Sequence, residues 1–178
     1  MFSLGQDLRF GIFHLPVRDR MQAIRDAGFD DVMFWWGDDF RDTDGAPETQ
    51  FDLAVRTGLR VRTVHFPTVF TYNLWNETDE DQAYVRELGT VLRACGQRGI
   101  KYLVVHAAMR TQSPGISGIG AERMRRAAEI AQKENVDIAL ENARFLAYNQ
   151  YLYDHVDSPC LKFCFDSGHA NCFTPGEE

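Results

Sequence analysis

Apolar residues in this chain follow two rhythms that take turns. Short apolar runs alternate with longer stretches in which the apolar positions fall three or four residues apart. The first rhythm predicts strands and the second amphipathic helices. The strand-like runs are Leu8 to Phe13, Asp31-Val-Met-Phe-Trp35, Val61-Arg-Thr-Val64-His65, Tyr102-Leu-Val-Val105-His106, Ile138-Ala-Leu140-Glu141-Asn142 and Leu161-Lys-Phe-Cys-Phe165-Asp166. Val17, Met21 and Ile24 predict a helix that stops at Gly28, and Phe51, Ala54 and Val55 a short one that stops at Gly58. The clearest helix has Thr78 as N-cap, then Tyr84, Leu88, Val91, Leu92 and Cys95, with Gly99 past its end. Met124, Ala127, Ala128 and Ala131 mark another, and Leu146 to His155 a weaker one.

Strands that alternate with helices predict an α/β fold on a parallel sheet. Several runs lack strict alternation, as expected where both sheet faces are covered. Trp35, His65, His106, Glu141 and Asp166 each close a run. The C-terminal ends of parallel strands share one edge, so these residues are expected at one mouth. A (β/α)8 barrel and an open doubly wound sheet both place ligands there, and the pattern does not separate them.

Composition narrows the function. Nineteen Lys plus Arg against twenty-six Asp plus Glu leave a charge of −7 over 178 residues, which weighs against a nucleic-acid partner. The length suits a single domain over 1–178. No apolar run is long enough for a membrane span, and the start has no signal-peptide pattern, so the expected location is cytoplasmic. Four cysteines are too few for a disulfide scaffold. Cys160, Cys164 and Cys172 match no paired zinc spacing and read as structural. Gly115-Ile-Ser-Gly118-Ile-Gly120 departs from the dinucleotide fingerprint.

A carboxylate beside an apolar run is costly unless it is paired or holds a cation. Glu141 and Asp166 are two such groups. Read singly, each could cap a loop; together with imidazoles at neighbouring ends they favour a divalent metal such as Mn, Mg, Co or Zn. Asp166-Ser-Gly-His169 sets a carboxylate and an imidazole three residues apart, and Gly168 permits the tight turn. His65 and His106 could ligate, carry protons or bond a substrate hydroxyl. Trp35, Trp36 and Trp75 read either as a wall for a sugar ring or as packing. His14 could reach the mouth, whereas His155 is expected on the surface.

Ala27-Gly-Phe-Asp-Asp-Val-Met-Phe-Trp-Trp36, His65-Phe-Pro67, Val104-Val-His106, Ala139-Leu-Glu-Asn142 and Cys164-Phe-Asp-Ser-Gly-His-Ala-Asn171 together resemble the xylose isomerase-like TIM-barrel superfamily. That group includes sugar phosphate isomerases and epimerases, ketose 3-epimerases and the endonuclease IV group. The resemblance implies a (β/α)8 barrel. It implies a divalent metal on Glu141 and Asp166, with His169 touching substrate or, in endonuclease-like members, binding zinc. In the latter, His65 and His106 also bind zinc; in isomerases they orient substrate, alongside Trp35 and Asn142. Catalysis would fall to Glu141 and His169, with a sugar or sugar phosphate as small-molecule partner. The implied reaction removes the proton beside a carbonyl and passes through an enediolate. The runner-up is a zinc phosphodiesterase acting on abasic DNA, and a third reading is a barrel without catalysis. Oligomers are compatible with all three. Members run to roughly 250 residues, so about six βα units are expected here with the last two missing, as in a C-terminally truncated member.

Overall fold

The computed structural model of the chain describes residues 5–7, 15–37, 45–78, 82–109 and 113–173. Two compact units divide it, Met1–Phe66 and Pro67–Glu178.

The first unit holds β1 (Gly5–Asp7), α1 (Val17–Asp26), β2 (Asp31–Trp35), α2 (Pro47–Arg56) and β3 (Arg60–His65). β2 pairs in parallel with β1 on one side and β3 on the other, with Trp35 opposite His65. α1 buries Val17, Arg20, Met21 and Ile24, the face that the spacing predicts, with Arg20 donating to the Leu15 carbonyl at 2.9 Å. α2 buries Phe51 and Ala54 but leaves Val55 72% exposed. Val55 follows Ala54 by one residue and is turned away from the buried stripe, which corrects its assignment to the core face. The predicted Leu8–Phe13 run and His14 lie outside the described residues.

The second unit opens with a 3-10 turn at Thr68–Phe70 and a short helix, α3 (Thr71–Trp75). Then come α4 (Gln82–Gln97), β4 (Tyr102–Val105), α5 (Gly118–Glu134), β5 (Asp137–Glu141), α6 (Leu146–His155), β6 (Leu161–Cys164) and α7 (Ser167–Phe173). β5 lies between β4 and β6, parallel to both. All five β5 residues are buried, which accounts for the unbroken apolar run Ile138–Leu140 at its centre. α4 buries Tyr84, Leu88, Val91, Leu92 and Cys95, the full predicted stripe. The capping role expected of Thr78 involves residues 79–81, which lie outside the described residues.

One turn ends four helices, two in each unit. After α1 the Phe29 N–H reaches the Ile24 carbonyl and the Gly28 N–H that of Arg25; Leu59 and Gly58 repeat this after α2. Gly28 and Gly58 have φ of +87° and +80°, where a Cβ is strained, so the predicted stops have a steric reason. Ile100 with Gly99 and Val136 with Asn135 close α4 and α5 alike, and Asn135 takes the left-handed conformation at φ 55° without being glycine. In each case one apolar residue, Phe29, Leu59, Ile100 or Val136, follows the turn just ahead of a strand.

Trp75 is 1% exposed, and its indole Nε1 donates to the Ala107 carbonyl at 2.7 Å. It is therefore core, which settles its two readings in favour of packing. Gly120, in the first turn of α5, lies flat against the Trp75 ring, where a Cβ would overlap the indole. Arg123, buried on the same helix, donates to the Asn73 and Leu74 carbonyls at 2.8 and 2.9 Å. It satisfies the end of α3 instead of forming part of a basic surface. No described helix is long and apolar enough to cross a membrane.

Candidate functional site

In the second unit, three adjacent parallel strands end beside one another, and their next residues carry the polar groups. β4 gives His106, β5 ends on Glu141 with Asn142 after it, and β6 is followed by Phe165 and Asp166. His106, Glu141 and Asn142 are 4%, 5% and 8% exposed, so these are buried polar groups that need partners. Glu141 Oε2 accepts from His106 Nε2 in a short contact. Glu141 Oε1 lies 4.0 Å from His169 Nδ1. One carboxylate thus stands between two imidazoles, whose rings meet edge to face at 5.3 Å.

Asp166 opens α7 with two hydrogen bonds. Its Oδ1 accepts from the His169 N–H at 2.7 Å, and its carbonyl accepts from the Ala170 N–H at 3.0 Å. It therefore caps α7, the role that a lone Asp before a helix suggests. Gly168 leaves room for this, since a Cβ there would stand 3.1 Å from Oδ1. Capping uses one carboxylate oxygen, so a cap and a cation ligand are compatible in one side chain.

Glu141, Asp166 and His169 each present a ligand atom, and the three atoms lie within 4.8 Å of one another. Ligands about 2.0–2.2 Å from a small divalent ion stand up to roughly 4 Å apart, so modest side-chain adjustment closes the set. His169 Nδ1 is buried and has no hydrogen-bond partner among the described residues. A buried imidazole nitrogen beside two carboxylates is the donor set expected of a divalent transition metal. The residues present fit such an ion.

The two acids also act on their neighbour. Burial pushes the Cys164 thiol up to about 11, and the negative charges of Glu141 and Asp166 add to the rise. No cysteine is among the candidate metal-binding groups of the described residues, and none of the four is in a disulfide. Cys95 is buried within α4, and burial drives its thiol up to about 12 despite the Arg98 charge. Cys172 is exposed on α7. Iodoacetamide on the native protein is therefore expected to label Cys172 first and Cys95 only on unfolding. Peptide mass spectrometry against time checks the order, and early labelling of Cys95 would contradict the burial.

Trp35, Trp36 and His65 lie in the first unit and His155 in the second. Trp35 and His65, opposite one another on β2 and β3, stack at 4.2 Å and 19°. His65 Nδ1 lies 2.9 Å from the Phe66 carbonyl, so in the neutral ring Nδ1 carries the proton and Nε2 the lone pair. Trp36 packs obliquely on Phe51 at 5.8 Å. His155 is exposed as expected and stacks on Tyr151.

Sequence reasoning missed Asn149. Buried in α6, it donates from Nδ2 to the Glu141 carbonyl at 2.8 Å. Asparagine is a poor helix former, and one in mid-helix was the available signal.

A family model described as xylose isomerase-like TIM barrel matches residues 21–178. No curated protein sequence matches the chain. Among solved structures, D-psicose 3-epimerase from Clostridium cellulolyticum H10, in a structure with D-tagatose, is similar at 14% identity and a TM-score of 0.73, over 96% of this chain and 65% of that one. An L-ribulose 3-epimerase is similar at 17% identity and a TM-score of 0.74, over 98% of this chain and 63% of that one. An AP endonuclease, family 2, from Brucella melitensis is similar at 15% identity and a TM-score of 0.73, over 99% and 72%. At these identities the likeness is one of fold. The chain spans 65% and 63% of the two epimerases, a little under two thirds of each.

Proposed function

The chain belongs to the xylose isomerase-like TIM barrel family, and from that premise we propose that the complete protein is a metal-dependent isomerase or epimerase of a sugar or sugar phosphate. The observation that carries this reading is the gathering of Glu141 at the end of β5, Asp166 just after β6 and His169 in the first turn of α7, with ligand atoms within 4.8 Å of one another. The solved neighbours named as 3-epimerases support the substrate class. The charge of −7 favours a small ligand over DNA.

Glu141 and Asp166 would hold the ion. When bound, a divalent cation supplies Lewis-acid stabilisation of negative charge on adjacent carbonyl and hydroxyl oxygens. The chain's own groups handle protons and orientation. A carboxylate removes the proton beside the carbonyl, which gives an enediolate, and returning the proton on carbon completes the exchange. Glu141 takes part in this transfer, oriented by its bond to His106. His169, whose Nδ1 lies 4.0 Å from that carboxylate, would bond a substrate oxygen through its other ring nitrogen, Nε2. The stacked pair Trp35 and His65 is assigned to substrate contact.

The test is solvent isotope exchange. With Mn²⁺ or Co²⁺ in deuterium oxide, the complete protein is expected to place deuterium on the carbon beside a ketose carbonyl. Absence of exchange across a ketose and ketose-phosphate panel would sink the proposal. Cleavage of abasic duplex DNA by a zinc-loaded protein would replace it with the phosphodiesterase reading, which the AP endonuclease neighbour keeps in view.

A further inference from the structure

Asn142 and Asn149 direct their side chains to main-chain atoms of Asp166 and Glu141. Asn142 donates from Nδ2 to the Asp166 carbonyl at 2.8 Å, and its Oδ1 accepts from the Asp166 N–H at 2.5 Å. These bonds cross from β5 to β6 beyond their last paired residues, Glu141 with Cys164, one residue on along the first strand and two along the second. The Asn142 N–H itself donates to the Cys164 carbonyl at 3.2 Å. Asn149 approaches from α6 and holds the Glu141 carbonyl at 2.8 Å. Each carboxylate residue is therefore fastened through its own peptide group by a different asparagine.

We propose that Asn142 and Asn149 are positioning residues that fix the spacing of the Glu141 and Asp166 carboxylates and thereby set the chain's affinity for a divalent metal. This rests on the metal reading above and goes past it. It gives Asn142 a supporting role in place of the substrate contact that the family resemblance implies. An amide side chain has one acceptor oxygen and one NH2 group. Asn142 has committed the oxygen and one amide hydrogen to Asp166, at a point where the strand ladder has run out. Without that clip, the peptide that carries Asp166 is tied to β5 only by the ladder behind it. Asn149 matters for a related reason: Glu141 is the last residue of β5, and its carbonyl is met by a side chain from the helix that follows. Both amides are engaged by main-chain atoms, so both asparagines act through the groups that would hold the ion. Removing such outer partners typically weakens metal binding by about 10–100-fold.

The experiment uses this chain with Mn²⁺ alone as the probe. Asn142→Ala and Asn149→Ala are compared with Leu88→Val, a core change in α4. Titration calorimetry is expected to show affinity lower by about 10–100-fold in both asparagine variants. Leu88→Val should lose thermal stability and keep its affinity. The absorption spectrum of bound Co²⁺ should change in the asparagine variants only. A metal-free readout runs alongside: Asn142→Ala should speed hydrogen exchange at the Asp166 amide at least tenfold. Parent-like affinity in both asparagine variants, or unchanged exchange at Asp166, overturns the positioning role. A parent chain that binds no Mn²⁺ sinks the metal reading, and the exchange result then still decides whether the clip holds the two backbones.

Discussion

Glu141→Gln is expected to cut metal-dependent turnover of the complete protein by about a thousandfold or more. It should also strip the divalent ion from this chain. The substitution keeps the volume and removes the charge. Glu141 now uses one oxygen on His106 and directs the other towards His169, 4.0 Å away. Glutamine replaces one of these acceptors by an NH2 group that repels a cation and cannot take a proton. Because Glu141 is 5% exposed, water cannot make good the loss. The measurements are initial rates with Mn²⁺ or Co²⁺ and metal content after dialysis. Parental turnover with a full metal complement would remove Glu141 from the proposed chemistry.

The second large effect is on stability. Trp75→Ala is expected to cost about 3–5 kcal/mol, the range for emptying an aromatic site in a core. The Ala107 carbonyl would also lose its indole donor. Tyr148 and Tyr151 meet the Trp75 ring edge-on at 5.1 and 6.0 Å, so the hole would open inside an aromatic cluster. Gly120→Val tests the same contact from the other side. Its side chain would have to enter space that the ring fills, at roughly 1–3 kcal/mol. Against a whole stability of about 5–15 kcal/mol, either change is large. Urea unfolding midpoints check both, and a loss below about 1 kcal/mol for Trp75→Ala would mean that the ring does not anchor the core. The consequence reaches the site, because Ala107 directly follows His106. A loosened Trp75 frees the end of β4, so Trp75→Phe, which keeps a ring and drops the N–H, should disturb His106 more than it disturbs folding.

Much of this was legible because periodicity records burial. β2 begins and ends where the apolar run does, and α6 spans the predicted Leu146–His155 although its amphipathic signal is weak. Glu141 and Asp166 could be found because carboxylates closing apolar strands are chemically anomalous. What stayed hidden has no period. Thr71–Trp75 and Ser167–Phe173 are too short to show a face. Bonds from Asn142 and Asn149 to main-chain atoms depend on where the chain turns, and hydropathy carries no trace of them. Trp75 could not be placed from its type alone, since a tryptophan suits a rim and a core equally; the bond to Ala107 and the flat approach of Gly120 decide it. Val55 shows the limit of reading three apolar positions as one face, because two of them were sequence neighbours.

β6 carries a different kind of consequence. It is paired with β5 along one side, and among the described residues no strand of this unit lies along the other. Phe163 is 57% exposed and Phe165 66% exposed. A strand edge next to two exposed phenyl rings offers an extended segment of another copy of this chain a place to attach. For this chain taken by itself, a charged residue at Phe163 is expected to lower self-association, read as light scattering against concentration.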